Sequence, residues 1–295
     1  MLDAVRPRRP RLGAGAGPLI GLSISVDPGV WRIGPAWAVL AGALASGAPL
    51  FGEAVPLRWV GAAILADSVW GVLWRLTAAN DADRSNQLAE DEHLPYFQPH
   101  SPAGRALGML RDIAPGASWR ELTTALVLTG VLGLLLGVSA LVLSAVAYVV
   151  ILWGWALGHA GKQPAACDAL LNVGFPWLLG AVLVRDAAQW SGAAPVLLPG
   201  VVMGVAFTTL QWGTRRAYLS NGSRVFAVWL GQAAVLLALI GSGQPWALGL
   251  VAALFLPPAM WLWRSSAMGM GVERALRQSG PWWLAAMLLS AVALR

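Results

Sequence analysis

The chain has 295 residues, 57% of them hydrophobic and 12% charged, about half the ~25% charged share of a soluble domain. With 17 Trp and 34 Gly this excludes an ordinary soluble globular domain and describes an all-α polytopic membrane protein, because Trp collects at lipid interfaces and Gly is common in membrane helices. The net charge of +6 is spread over short polar stretches, which fits membrane lipids with anionic headgroups as partners and no nucleic acid.

Residues 1–30 read as an N-terminal cytoplasmic segment carrying Arg6, Arg8, Arg9 and Arg11. It has no short apolar run ending in a cleavage site, so the first spanning helix is expected to be retained. Residues 31–295 form the membrane domain. A span takes about 20 mostly apolar residues, and the hydropathy pattern predicts nine: 34–52, 57–77, 121–137, 139–158, 169–185, 193–212, 225–242, 246–264 and 280–294.

The basic residues orient these spans. Arg84, Arg105, Arg111 and Arg120 lie after the second helix, Lys162 after the fourth, Arg215, Arg216 and Arg224 after the sixth, and Arg264, Arg274 and Arg277 after the eighth. The other side holds Arg58, Arg185 and Arg295. Lys and Arg favour the cytoplasmic side, so the chain is expected in the cell (inner) membrane with its N-terminus inside and C-terminus outside. The longest cytoplasmic loop, about 79–119, contains "AEDEHLPYFQPHSPAG" and reads as a cap of short helices and turns. The loop expected at 213–224, "GTRRAYLSNGSR", is basic. Loops of opposite sign after the second and sixth helices resemble a two-part surface site.

Inside the spans, Asp67 falls mid-helix in "AAILADSVWGVLWRL", with Arg75 two turns further on. An ionisable group near the bilayer centre is costly and usually faces a bundle interior or a partner. Asp67 therefore reads as part of an internal polar path with Arg75, as a partner contact, or as a protonated side chain. His93, His100 and His159 are too scattered for a metal site, and Cys167, the single cysteine, permits no intrachain disulfide.

The motif "NDADRSN" ends the second helix, and "TRRAYLSNGSRVFAVWLG" follows the sixth. Nine helices, an inside N-terminus and an Asn-Asp motif at this place resemble the UbiA superfamily of intramembrane prenyltransferases, over about residues 24 to 294. The resemblance implies a nine-transmembrane-helix UbiA-like bundle. In that family aspartates after helices two and six bind magnesium, which holds a prenyl diphosphate while an aromatic or tetrapyrrole acceptor takes the prenyl group. Gly222 and the run Val225 to Gly231 fit the later part of the second motif.

Carried across residue by residue, the first motif keeps Asn80 and Asp81, while its next acidic positions hold Arg84 and Leu88. Asp83 lies one residue off register, about 200° round a helix from Asp81. The second motif's aspartate positions hold Thr214 and Tyr218, and no acidic residue occurs between Asp186 and Glu273. Lys162 corresponds to a family lysine that touches diphosphate.

Each candidate also has a plainer reading. Asn80 and Asp81 either cap a helix at headgroup level, contact another subunit, or hold metal (Asp81 above all) and diphosphate with Asp83. Arg215 and Arg216 are topology anchors or a phosphate site made of guanidinium alone, since Arg binds phosphate without metal. The sequence thus favours a non-catalytic or catalytically degenerate UbiA-like protein, serving as an accessory or structural subunit beside other membrane subunits. Equally it could bind an isoprenoid ligand such as a quinone, carotenoid or chlorophyll-type tail. The alternative is an active magnesium-dependent prenyltransferase using Asn80, Asp81, Asp83 and Lys162. A transporter ranks below both, because few polar residues lie in the spans and no inverted repeat of broken helices is visible.

Overall fold

The computed structural model describes residues 33–47, 55–71, 73–74, 119–159, 164–183, 194–220, 224–268 and 272–295. Every regular element among them is helical. In order these are α1 (Pro35–Ala45), α2 (Val55–Ala63) running into a π-helical stretch Ile64–Trp70, α3 (Trp119–Leu136) and α4 (Val138–His159). Then come α5 (Ala165–Ala169), a second π-helical stretch Leu170–Gly174 and α6 (Phe175–Val182), which form one continuous run. The chain closes with α7 (Ala194–Leu219), α8 (Phe226–Gly241), α9 (Pro245–Met268) and α10 (Val272–Ala293).

Local chemistry accounts for several of these boundaries. Pro35 and Pro245 occupy first helical positions, where the missing N–H costs nothing and the fixed φ is already helical. Gly137 breaks the α3–α4 hairpin at φ 102° and Gly243 turns α8 into α9 at φ 70°, backbone that L side chains rarely adopt. The α3–α4 hairpin is clasped further by the hydroxyls of Thr129 and Tyr148, which bond to each other across it.

Three runs are long and apolar enough to cross a membrane: Val138–Leu157, Ala165–Val182 and Pro245–Ser265. They differ in what surrounds them. Of the Ala165–Val182 run 61% is buried, against 33% for Val138–Leu157 and 28% for Pro245–Ser265. The first is a central helix, whereas the other two turn most of their apolar surface outward. Leu134, Leu135 and Val138 near the α3–α4 turn, and Leu256, Met260 and Trp263 on α9, are all exposed. Outward-facing aliphatic and aromatic surface of this extent is rare on soluble monomers and suits a bilayer.

The core has two lobes. One joins Trp177, Phe207, Val228, Leu239, Leu262 and Met287 from α6 to α10. The other joins Leu65, Trp70, Trp74, Ile151, Leu171 and Leu179 from α2 to α6. Helix α1 and the α5–α6 run serve both lobes, since Ala38 and Trp177 pack in the first while Val39 and Leu179 pack in the second. Trp70, Trp74, Trp177 and Trp283 are buried, so these indoles pack helices together and are not interfacial anchors. Trp177 stacks on Phe207 at 5.9 Å and donates Nε1–H to the Gly200 carbonyl at 2.9 Å.

Close helix crossings depend on glycine at specific points. A Cβ on Gly213 of α7 would lie 2.3 Å from the Ala227 carbonyl oxygen, and one on Gly231 of α8 would lie 2.3 Å from Leu210 Cα. The two helices thus meet backbone to backbone at reciprocal positions, the small-residue packing that helices use where lipid removes the hydrophobic drive.

Several boundaries move from the sequence reading. The segment 213–219, expected within a loop, is the last two turns of α7, and α10 begins at Val272, eight residues before the predicted span. In both cases polar residues continue a helix past the apolar run, which a hydropathy window cannot register. The fifth helix likewise begins at Ala165, four residues earlier than expected, and that shift brings an acidic residue into it.

Candidate functional site

One end of the bundle gathers the close of the second helical segment, the start of α5 and the close of α7. At their meeting point stands Asp168, in the first turn of α5 and buried. Its Oδ1 accepts a hydrogen bond from Trp74 Nε1 at 3.0 Å. Its Oδ2 lies 3.9 Å from Arg215 Nε, an ion pair at the outer limit of contact in which the Asp side chain is 12% exposed and the Arg side chain 42%. The carboxylate is therefore an inner group and the guanidinium an outer one.

Each neighbour has a structural reason for its place. Gly154 of α4 has no side chain where a Cβ would fall 2.5 Å from the Trp74 ring and 3.2 Å from Cys167 Cβ. Its absence lets the indole lie against α4 and aim Nε1 at the start of α5. Behind Asp168 the helix passes into its π-helical stretch, and the Asn172 side-chain amide donates to the Asp168 carbonyl at 2.8 Å. A π-helical stretch displaces the usual i→i+4 pairing and is often found at functional sites. The other such stretch, Ile64–Trp70, leads towards Trp74.

On α7, Arg215 also lies over the Tyr218 ring at 5.7 Å, and Arg216 over the Trp212 ring at 5.1 Å. Both arginines are held by cation–π contacts within their own helix. Thr214, at a position where the resemblance expects an aspartate, turns its hydroxyl back to the Gln211 carbonyl at 2.8 Å. Tyr218, at the other such position, is exposed. The two arginines between them thus form a basic helix end, with Arg215 tied inward to Asp168 and Arg216 leaning along Trp212.

Among the sequence-predicted residues, Asn80, Asp81, Asp83, Arg75 and Lys162 lie outside the described residues, as do His93 and His100. Arg215 and Arg216 sit together on the last turns of α7. Asp67 lies within the first π-helical stretch, between buried Ala66 and Val69, and its own side chain is exposed. No hydrogen bond or ion pair joins it to Asp168, Trp74 or Arg215.

Sequence reasoning passes over Asp168 and the role of Trp74. A signal is present: Asp168 is the only acidic residue between Glu121 and Asp186, isolated in the apolar run "AACDALL". The motif spacing directs attention to the segment after helix six for a carboxylate opposite the first motif. The structure places a carboxylate at the head of the fifth helical run, beside the end of α7.

These residues do not fit a magnesium ion. Magnesium takes oxygen ligands in near-octahedral array, whereas one Asp168 oxygen faces an N–H donor and the other a cation. No group of three His, Cys, Asp or Glu that could hold a metal ion occurs among the described residues. What the arrangement can do chemically is hold a positive helix end beside a buried carboxylate that is already engaged.

Comparison of the chain with protein-family models, curated proteins and solved structures finds no significant match.

Proposed function

We propose that this chain is a catalytically degenerate, UbiA-like integral membrane protein with nine spans. Its bundle would serve as an isoprenoid-binding or accessory subunit of a membrane complex. The observation that carries the proposal is the Asp168–Arg215 pair. At the end of α7, the sixth predicted span, where a prenyltransferase of this type needs carboxylates for metal, the chain places two arginines. One of them is directed to the protein's own buried carboxylate.

Three further features support the reading. The described residues contain nine helical stretches, counting each π-interrupted run once, and each overlaps one predicted span. The outer faces of α3, α4 and α9 are apolar and exposed, suited to lipid or to neighbouring subunits. The second, fifth and sixth helical segments converge at one end, an arrangement compatible with the two-part site the resemblance implies.

The test is purification of the intact protein in mild detergent, followed by two measurements on the same sample. Mass spectrometry of the extract should reveal a retained isoprenoid or a stoichiometric partner subunit. Incubation with magnesium, a labelled prenyl diphosphate and quinone or tetrapyrrole acceptors should give no labelled product. Transfer that disappears in Asp81→Ala would instead establish an active prenyltransferase and defeat the proposal.

A further inference from the structure

A second basic cluster lies at the junction of α9 and α10, away from Asp168. There a cleft of about 770 Å³ is lined by Trp261, Arg264 and Ser265 of α9 and by Glu273, Arg274 and Arg277 of α10, among others. Arg277 is engaged by Glu273 at 2.6 Å, one helical turn away. Arg264 and Arg274 have no acidic partner among the described residues. Among the described residues the cleft therefore carries two guanidinium groups with no ion-pair partner, and Ser265, which donates to the Leu262 carbonyl at 2.9 Å, adds a hydroxyl.

The apolar side of the cleft is as informative as its charge. Trp261 lines it and also meets Trp282 of α10 edge to face, with ring centroids 6.3 Å apart. Trp282 is itself 37% exposed, so the cleft continues from a basic rim onto an open aromatic wall. A small soluble anion would use the rim alone. An amphiphile with a phosphate head and an apolar tail would use both parts. Guanidinium groups grip phosphate oxygens in pairs, and basic pockets between membrane helices on the cytoplasmic side suit anionic lipid heads.

We infer that the α9–α10 cleft binds the phosphate headgroup of an anionic phospholipid, with Arg264 and Arg274 as the headgroup ligands and Trp261 beside the upper acyl chain. The inference rests on the membrane reading given above, and on that reading's placement of the α9–α10 junction at the cytoplasmic face.

Full-length protein reconstituted into phosphatidylcholine vesicles containing some phosphatidylglycerol tests it, with retained lipid counted by native mass spectrometry after extraction. Failure of the protein to enter vesicles would defeat the membrane reading itself. Entry with equal retention of the two lipids would overturn only the headgroup site. The expected result is selective retention of phosphatidylglycerol, falling about thirtyfold in the double variant Arg264→Gln/Arg274→Gln, as two basic groups lost from an anionic surface imply. Glu273→Gln should act in the opposite direction, strengthening retention by releasing Arg277. An unchanged or weakened retention in Glu273→Gln would count against the cleft. Displacement of the lipid by inorganic phosphate alone would overturn the lipid as ligand and assign the arginines to a free phosphate.

Discussion

Trp74 and Asp168 are 94 residues apart in sequence, and the indole N–H of one donates to a carboxylate oxygen of the other at 3.0 Å. Both side chains are buried, so neither can turn to water if the bond is lost. Trp74→Phe keeps an aromatic ring in place and removes the donor together with part of the indole's volume. A buried hydrogen bond to a charged acceptor contributes about 1.5–3 kcal/mol, and the variant should lose about that much stability. The check is the unfolding midpoint of the detergent-solubilised protein, with an unchanged midpoint showing that the bond does not hold the second segment to α5.

The Asp168–Arg215 pair is asymmetric, and its two halves should respond differently to removal. Arg215 is 42% exposed at its side chain, so its partner's loss returns it to solvent at little cost. Asp168 at 12% cannot escape. Arg215→Ala removes a screened partner held only at 3.9 Å and leaves the carboxylate its Trp74 donor, so it should cost under about 1 kcal/mol, as for solvent-screened pairs. Asp168→Ala removes the carboxylate that accepts from the buried indole and opens a small void, at about 2–4 kcal/mol. Asp168→Asn should fall between them, because its amide oxygen can still accept from Trp74. Paired measurement of the three midpoints tests the order, and Arg215→Ala proving the most damaging would invert this account.

What can be read in the sequence follows from which physical signal each feature carries. Helices such as α4 and α8 end within about two residues of their predicted limits, because an apolar run bounded by glycine turns contains its own boundary. Hydropathy misplaces the ends of α5, α7 and α10, where polar residues stay helical. The candidate site suffers most from this. Asp168 stands outside the span predicted at 169–185, and Arg215 falls in an expected loop. Their meeting depends on the packing of α7 against α5, which composition does not reveal. Asp67 is legible as an unusual residue, but its exposure on a π-helical stretch does not follow from period alone.

The α7–α8 crossing gives a prediction that sets one glycine against another elsewhere in the bundle. Gly231→Ala would force a Cβ to 2.3 Å from Leu210 Cα, a backbone contact that no rotamer relieves. The helices would have to part, at about 1–3 kcal/mol by comparison with overpacked cores. Gly249 lies inside α9, with nothing within 4 Å of the point a Cβ would occupy. Gly249→Ala should therefore be neutral or stabilising by up to about 1 kcal/mol, the helix-propensity gain. Thermal midpoints of the two variants check the contrast. Because Gly213 and Gly231 position the last turns of α7, Gly231→Ala should also weaken the dependence of stability on Asp168, seen as non-additivity in the double variant.

The orientation proposed for the bundle can be tested with the protein's own single cysteine removed. Cys167 is buried, so Cys167→Ser gives a background without reactive thiols and with a small polar substitution in the core. Arg224, just before α8, and Glu273, in the first turn of α10, are exposed. If the basic ends face the cytoplasm, Arg224→Cys and Glu273→Cys should resist a membrane-impermeant maleimide in intact cells and react once the membrane is opened. Gln244, between α8 and α9, lies at the other end of the same hairpin, and Gln244→Cys should react from outside. The three sites are linked by single helices, so the pattern must alternate if α8 and α9 each cross the bilayer. Labelling of Arg224→Cys and Gln244→Cys from the same side would mean that α8 does not cross. A full inversion of the pattern would keep the spans and reverse the assigned orientation, moving both the Asp168 mouth and the α9–α10 cleft to the outer face.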